Sequence, residues 1–373
     1  MLMKVTGALA PSGNGAEAEA LVLRRVDKSY DGVNKVVDAL DLDVHPGEFL
    51  TILGPSGSGK TSLLMMLAGF EPPSGGIIEI GGRDVSRLPP YKRNIGMVFQ
   101  HYALFPHLTV GENLAYPLKA RGWRKSEIAE RVAWALRLIR LEGMRDRRPA
   151  QLSGGQQQRI AVARALIYKP QLVLMDEPLG ALDKQLREQM QDEIVRLHRE
   201  LRPTIVYVTH DQSEALSLSD RVAVFEAGRI AQIGAPSELY EQPRTAFVAG
   251  FIGENNRIAG TVIASGGEFC RVSCADGAGL EARNIADARI GDRVSLAVRP
   301  ERLRPAQVAD EFRVEVDVAD ITYLGEVSRV RCRMRDGAEI IWKLPNCGQS
   351  ARPERGARIA LSFCREDARA FPA

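Results

Sequence analysis

At 373 residues, 45% hydrophobic and 26% charged, the chain has a globular composition and the length of two ordinary domains rather than one. A formal net charge of +3 on so long a chain gives no strong basic field, so nucleic acid is not an expected partner. No apolar run reaches the roughly 18 residues needed to cross a bilayer, which excludes a chain that spans a membrane by itself.

Residues 1–20 are rich in Ala and Gly, and their one short apolar part, at 5–10, is interrupted; the stretch reads as a disordered tail of a cytoplasmic protein. The segment 21–26 (LVLRRV) predicts a first strand, and 28–32 the loop that ends it. Tyr30 in that loop has two readings that spacing alone leaves equal: an aromatic that stacks on a purine face, or a turn tyrosine. Residues 33–44 continue in strand style, and Pro46-Gly47 turns the chain into 48–53 (EFLTIL), a buried strand.

That strand delivers Gly54-Pro55-Ser56-Gly57-Ser58-Gly59-Lys60-Thr61, which fits G-x-x-x-x-G-K-[ST], the nucleotide-binding P-loop. Glycines let the backbone turn tightly enough to aim several N–H groups at one anion, and the helix that follows, 62–68 (SLLMMLA), adds its positive end. In this motif Lys60 meets the β- and γ-phosphates and the Thr61 hydroxyl ligates Mg²⁺.

After the helix, two prolines and two glycines lead into a strand at 77–80, and 95–99 (IGMVF) forms another that ends at Gln100. A glutamine past a strand end is ordinarily solvated. In a nucleotide-binding sheet it stands where ligands bind, in reach of a metal or the attacking water. From 111 to 141 the pattern turns helical, with Ile128, Val132, Leu136 and Ile139 on one face; Trp123 and Trp134 read as packing residues. Ser153-Gly154-Gly155-Gln156 opens the helix 157–168 and offers a second anion-binding end, although on local chemistry alone an ordinary N-cap is the better reading.

The unbroken apolar run 172–175 predicts a strand buried on both faces that presents Asp176 and Glu177 at its end. Adjacent carboxylates there suit the Mg²⁺ shell (Asp176) and a general base polarising the water that attacks a γ-phosphate (Glu177). Ala181-Leu182-Asp183 follows, then an amphipathic helix marked by Leu186, Met190, Ile194, Leu197 and Leu201. The next strand, 204–209, ends at His210, at the same sheet edge as Gln100 and Glu177 and in place to contact a γ-phosphate. From residue 257 the grammar changes to short alternating strands at 257–264, 269–274, 294–298, 312–318, 327–334, 339–344 and 358–363, which predict a small, barrel-like all-β domain. All five cysteines, Cys270, Cys274, Cys332, Cys347 and Cys364, lie there; an odd number without secretion signals reads as reduced thiols.

Taken in order, residues 54–61, Gln100, 152–156, 172–177, Asp183 and His210 resemble the motifs of ABC transporter ATP-binding subunits over 21–253. The resemblance implies an α/β P-loop ATPase domain with an inserted helical subdomain at about 101–165 and an OB-like TOBE domain at 254–373, whose recognisable pieces are Val298-Arg299-Pro300-Glu301 and Tyr323-Leu324-Gly325. It makes Tyr30 the adenine-stacking aromatic, Gln100 the Q-loop residue, Ser153 to Gln156 the signature and His210 the switch histidine. The signature of one copy then completes ATP held by the P-loop of another, so the protein is expected to act as a pair.

Residues 100–110 (QHYALFPHLTV) resemble the segment by which importer ATPases touch two membrane permease subunits, served by an extracytoplasmic solute-binding protein. The nearest likeness is to the spermidine/putrescine group; ferric iron, sulfate and sugar importers share most of the pattern. Glu177 argues against a non-hydrolysing member. Soluble ABC proteins acting on ribosomes or DNA usually carry two ATPase units or long coiled-coil insertions, and this chain has a single P-loop. The expected place is the cytoplasmic face of the bacterial inner membrane, with the C-terminal domain bracing the dimer or binding a regulatory ligand.

Overall fold

The computed structural model describes residues 20–274, 277–308, 310, 312–346 and 353–373; the tail before Ala20 and Cys347 lie outside them. The chain folds as two compact units, the first running to His210 with 217–220 and 225–229, the second comprising 211–216, 221–224 and 230–373.

The first unit holds an antiparallel sheet of β1 (Leu21–Ser29), β2 (Lys35–Val44), β4 (Gly75–Ile80) and β5 (Arg83–Asp84), in the order β2-β1-β4-β5. Its second sheet contains β3 (Phe49–Leu53), β8 (Ile205–Thr209), β7 (Leu172–Asp176) and β6 (Ile95–Val98), neighbours in that order and all parallel. β3 and β8 are buried at every residue and β7 at four of five, as expected of strands covered on both faces. α1 (Lys60–Ala68) packs on β7 and β8. α4 (Gly154–Leu166) and α5 (Lys184–Leu201) supply Ala161, Val162, Ile194 and Leu197 to the core that holds Phe49, Val173 and Tyr207.

Because these four strands are parallel, the segments that leave β3, β6, β7 and β8 all emerge at one sheet edge. The helical stretch expected at 111–141 is two helices, α2 (Val110–Ala120) and α3 (Lys125–Leu138), parted at Gly122, whose φ is 74°. They form a separate core with α4 around Leu114, Leu118, Val132, Leu136 and Ile160.

β9 (Arg221–Glu226) and β10 (Arg229–Gly234), which the alternation of the sequence did not reveal, divide their residues between the units. In the second unit, β11 (Asn256–Gly266), β12 (Phe269–Cys274), β13 (Gly279–Asn284), β20 (Ala368–Pro372) and β14 (Arg293–Val298) close a barrel in that order. A five-stranded sheet of β15 (Arg304–Pro305), β19 (Arg358–Ser362), β16 (Val314–Tyr323), β17 (Val327–Met334) and β18 (Glu339–Pro345) shares one core with it. Cys270, Val272 and Cys274 alternate into that core, and burial pushes the Cys270 thiol up in pKa.

One buried cation holds the end of α1. Arg93, 3% exposed, donates from Nη1 to the carbonyls of Met66 and Leu67 at 2.6 and 2.9 Å and from Nε to Leu88 O at 2.7 Å, satisfying last-turn acceptors of the helix. Replacing it by methionine takes the side-chain donor from the Leu67 and Leu88 carbonyls and leaves Met66 O only the Gly69 amide, at 3.2 Å. Arg93→Met is expected to lower the unfolding free energy by about 3 kcal/mol in urea denaturation; a loss below about 0.5 kcal/mol would show the cap to be dispensable.

Candidate active site

The P-loop closes around a lysine. Lys60, the first residue of α1 and 5% exposed, donates from Nζ to the carbonyl oxygens of Gly54 and Pro55, both at 2.8 Å. Burial lowers its pKa, opposed by the charges of Glu177 and Asp176. Gly59 stands at φ 105°, and a Cβ there would sit 2.3 Å from the Val36 carbonyl oxygen, so only glycine fits this turn against β2. Gly59 is also the N-cap of α1 and offers no side-chain cap, which leaves the helix's first N–H groups and its positive end to an outside acceptor. The Ser58 hydroxyl is buried with no partner, while Thr61 is exposed.

The neighbouring strand ends bring the predicted acid and histidine together. Glu177 Oε1 lies 3.0 Å from His210 Nδ1, and the Glu177 amide donates to Val208 O at 2.9 Å, so β8 fixes both partners. Glu177 has a φ of 40°, a left-handed backbone that a glutamate adopts at a cost, of the kind proteins concentrate at functional sites. Asp176 is half-buried, and its carboxyl is pushed above the ordinary range by desolvation first and the Glu177 charge second, with Lys60 opposing. Gln100 reaches the same edge: a Cβ on Gly180 would have Gln100 Nε2 at 3.6 Å and Glu177 Oε2 at 3.9 Å.

Tyr30 is tied to the P-loop helix by its hydroxyl, 3.2 Å from Ser62 Oγ, with Lys28 Nζ 4.7 Å from its ring centre; the ring is 60% exposed. Ser153 to Gln156 stand apart from this cluster. Ser153 Oγ accepts from the Gln156 amide at 3.3 Å and Gln156 Oε1 accepts from the Ser153 amide at 3.0 Å, a reciprocal capping box that is the N-cap reading of the sequence. Gly155 lets α4 approach α5, since a Cβ there would meet Leu186 Cδ1 at 2.6 Å. Asp183 caps α5, accepting from the Leu186 amide at 2.9 Å.

Arg164, which sequence reasoning passed over, donates to the carbonyls of Tyr102 and Ala103 at 3.0 and 2.8 Å and so pins the turn after Gln100, where both residues have positive φ. A lone arginine on a helix gives no sequence signal for that role.

These residues fit a nucleoside triphosphate with a divalent cation. The buried Lys60, the unpartnered Ser58 hydroxyl and the uncapped α1 terminus suit phosphate oxygens. The desolvated Asp176 beside Glu177, with the exposed Thr61 hydroxyl and the Gln100 amide, is an oxygen donor set suited to a hard cation.

Comparison with known proteins agrees with this chemistry. The ABC transporter family model matches residues 37–180, and the TOBE domain model matches 296–371. The chain is 46% identical over 346 residues to the spermidine/putrescine import ATP-binding protein PotA of Rubrobacter xylanophilus, covering 92% of this chain and 91% of that protein. It is 41% identical over 373 residues to the protein of the same name from Thermobifida fusca, covering 98% and 97% respectively. Among solved structures, cbiO1 from Clostridium perfringens, part of the ABC transporter complex cbiONQ, matches with a TM-score of 0.56 and 27% identity over 59% of this chain and 90% of that one.

The Gly59 turn supplies a direct test of the cradle. Gly59→Ala must move the loop away from Val36, and a fluorescent ATP analogue titrated onto the folded variant is expected to bind at least about tenfold more weakly. Undiminished affinity would mean that this turn does not shape the nucleotide site.

Proposed function

We propose, from the premise that this chain belongs to the ATP-binding subunits of ABC transporters, that it powers uptake of polyamines of the spermidine/putrescine type by hydrolysing ATP as a pair of copies on two membrane permease subunits. One observation carries the hydrolytic part: the Glu177 carboxylate, bonded to His210, stands at the sheet edge onto which the loop of Lys60 opens. The solute rests on the names of the relatives.

In this reading residues 54–61 cradle the triphosphate, Lys60 neutralises the β- and γ-phosphates, and Tyr30 stacks on adenine. Asp176, Thr61 and Gln100 hold Mg²⁺, which when bound offsets the phosphate charge. Glu177 takes the proton of the attacking water as the new oxygen–phosphorus bond forms. The bond between the γ-phosphorus and the bridging oxygen breaks, and ADP and phosphate leave. His210 holds the Glu177 carboxylate in place and meets the γ-phosphate. Ser153, Gly154, Gly155 and Gln156 of a second copy, with Asp183, complete each site, which gives the exposed end of α4 a ligand that its own chain does not supply.

Docking to the permeases is supported by an open cleft of about 350 Å³ next to Gln100, lined by Phe99, Phe105, Tyr116 and Tyr168. No helix among the described residues is long and apolar enough to cross a membrane, in keeping with a peripheral subunit at the inner membrane face that receives solute from an extracytoplasmic binding protein through the permeases.

Glu177→Gln is expected to bind ATP as the parent does while its turnover falls by about 100-fold or more; unchanged hydrolysis would remove Glu177 from the chemistry. In cells carrying the cognate permeases, labelled spermidine and putrescine are expected to accumulate only with the active subunit. Accumulation of ferric iron, sulfate or sugar in their place would reassign the solute.

A further inference from the structure

A cleft of about 420 Å³ lies in the first unit at the amino ends of β7 and β8, and the ATPase chemistry does not use it. Both strands have five residues, so at about 3.3 Å per residue the cleft is roughly 15 Å from the carboxylates and histidine at their other ends. Its apolar walls include Trp134 of α3, Leu166 at the end of α4 and Leu201 at the end of α5.

Three cations line it, Arg131, Lys169 and Arg202. The Arg131 guanidinium lies 3.6 Å from the centre of the Trp134 ring, donates from Nε to Ile167 O at 2.6 Å, and leaves Nη2 buried without an acceptor. Lys169 and Arg202 are exposed, and among the described residues neither has a carboxylate partner. The carboxylate that lines the cleft, Glu200, is paired with Arg196 at 2.9 Å. Lys169 and Arg202 follow the ends of α4 and α5, where a helix dipole favours cations. The dipole accounts for those two charges, and the Ile167 carbonyl at the end of α4 for the Arg131 Nε, but neither accounts for the unpartnered Arg131 Nη2 beside an indole that walls an open cleft.

We propose that this cleft binds a small organic anion with a flat apolar body, the body lying along Trp134 and a carboxylate or phosphate meeting the three cations. The volume is that of a small-molecule site, aromatic and guanidinium faces favour a flat group, and unpaired cations favour an anion over a neutral ligand.

The proposal stands apart from the transporter reading and is tested on the full-length protein in saturating ADP, which occupies the P-loop. Titration calorimetry with 2-naphthoate, 2-naphthyl phosphate and the uncharged 2-naphthamide is expected to show an anion binding about tenfold or more tightly than the amide. The tighter of the two anions identifies the head group. The double variant Lys169→Gln/Arg202→Gln, altered only at exposed side chains, is expected to bind that anion about tenfold more weakly while keeping the parent's ADP affinity. Equal binding of the amide, an undiminished double variant, or no binding of either anion would each overturn the site.

Discussion

Lys60 is the constraint on which the first unit turns. Its ammonium is almost entirely buried, its nearest partners are two backbone carbonyls of its own loop, and burial depresses its pKa even beside two carboxylates. Desolvating a cation is expensive unless a strong anion compensates, and the carbonyl oxygens are only partial charges. The site is built so that a phosphate supplies the compensation, with binding free energy that would otherwise be needed only to hold the loop.

The rest of the unit serves to aim groups at that point. Parallel pairing of β3, β8, β7 and β6 places the loop, the acidic pair, the histidine and the glutamine on one edge although they are dispersed along the chain. Apolar strands buried on both faces keep the edge rigid, and the strained backbone of Glu177 is tolerated because its amide is bonded into β8. Reacting groups held in this way need little reorganisation when charge develops, which is where such active sites obtain much of their rate.

The parts of this arrangement that the sequence disclosed are those with a local signature. The run 172–175 is apolar throughout and 49–53 is apolar but for Thr51, the P-loop has a fixed spacing of glycines, Asp176 ends a strand, and Glu177 and His210 each follow directly on one, so the meeting of Glu177 with His210 was legible as a shared edge. What escaped depends on distant partners. β20 was hidden because its short ARAFP segment pairs with β13 some way back in the chain, joining Arg283 to Arg369. The second barrel wall, β13, has polar residues at half of its positions and gives weak alternation. Arg93 and Arg164 act by donating to carbonyls that only the tertiary fold brings near, and no pattern of neighbouring residues announces that. The break at Gly122 precedes the periodic positions Ile128 to Ile139, and Trp123 beside it already read as a loop residue.

The signature is the point at which local chemistry and function part. Ser153 and Gln156 satisfy each other in a capping box and, among the described residues, make no bond to the P-loop of their own chain, so the part in catalysis proposed for them requires a second copy. The most direct measurement of that claim is the ATPase rate of an equal mixture of Lys60→Ala and Ser153→Arg proteins, each inactive alone, with the permeases present. Composite sites predict that mixing restores activity, up to about a quarter of the parent rate for random pairing in a two-fold dimer. A mixture that stays as inactive as its components would contradict the account.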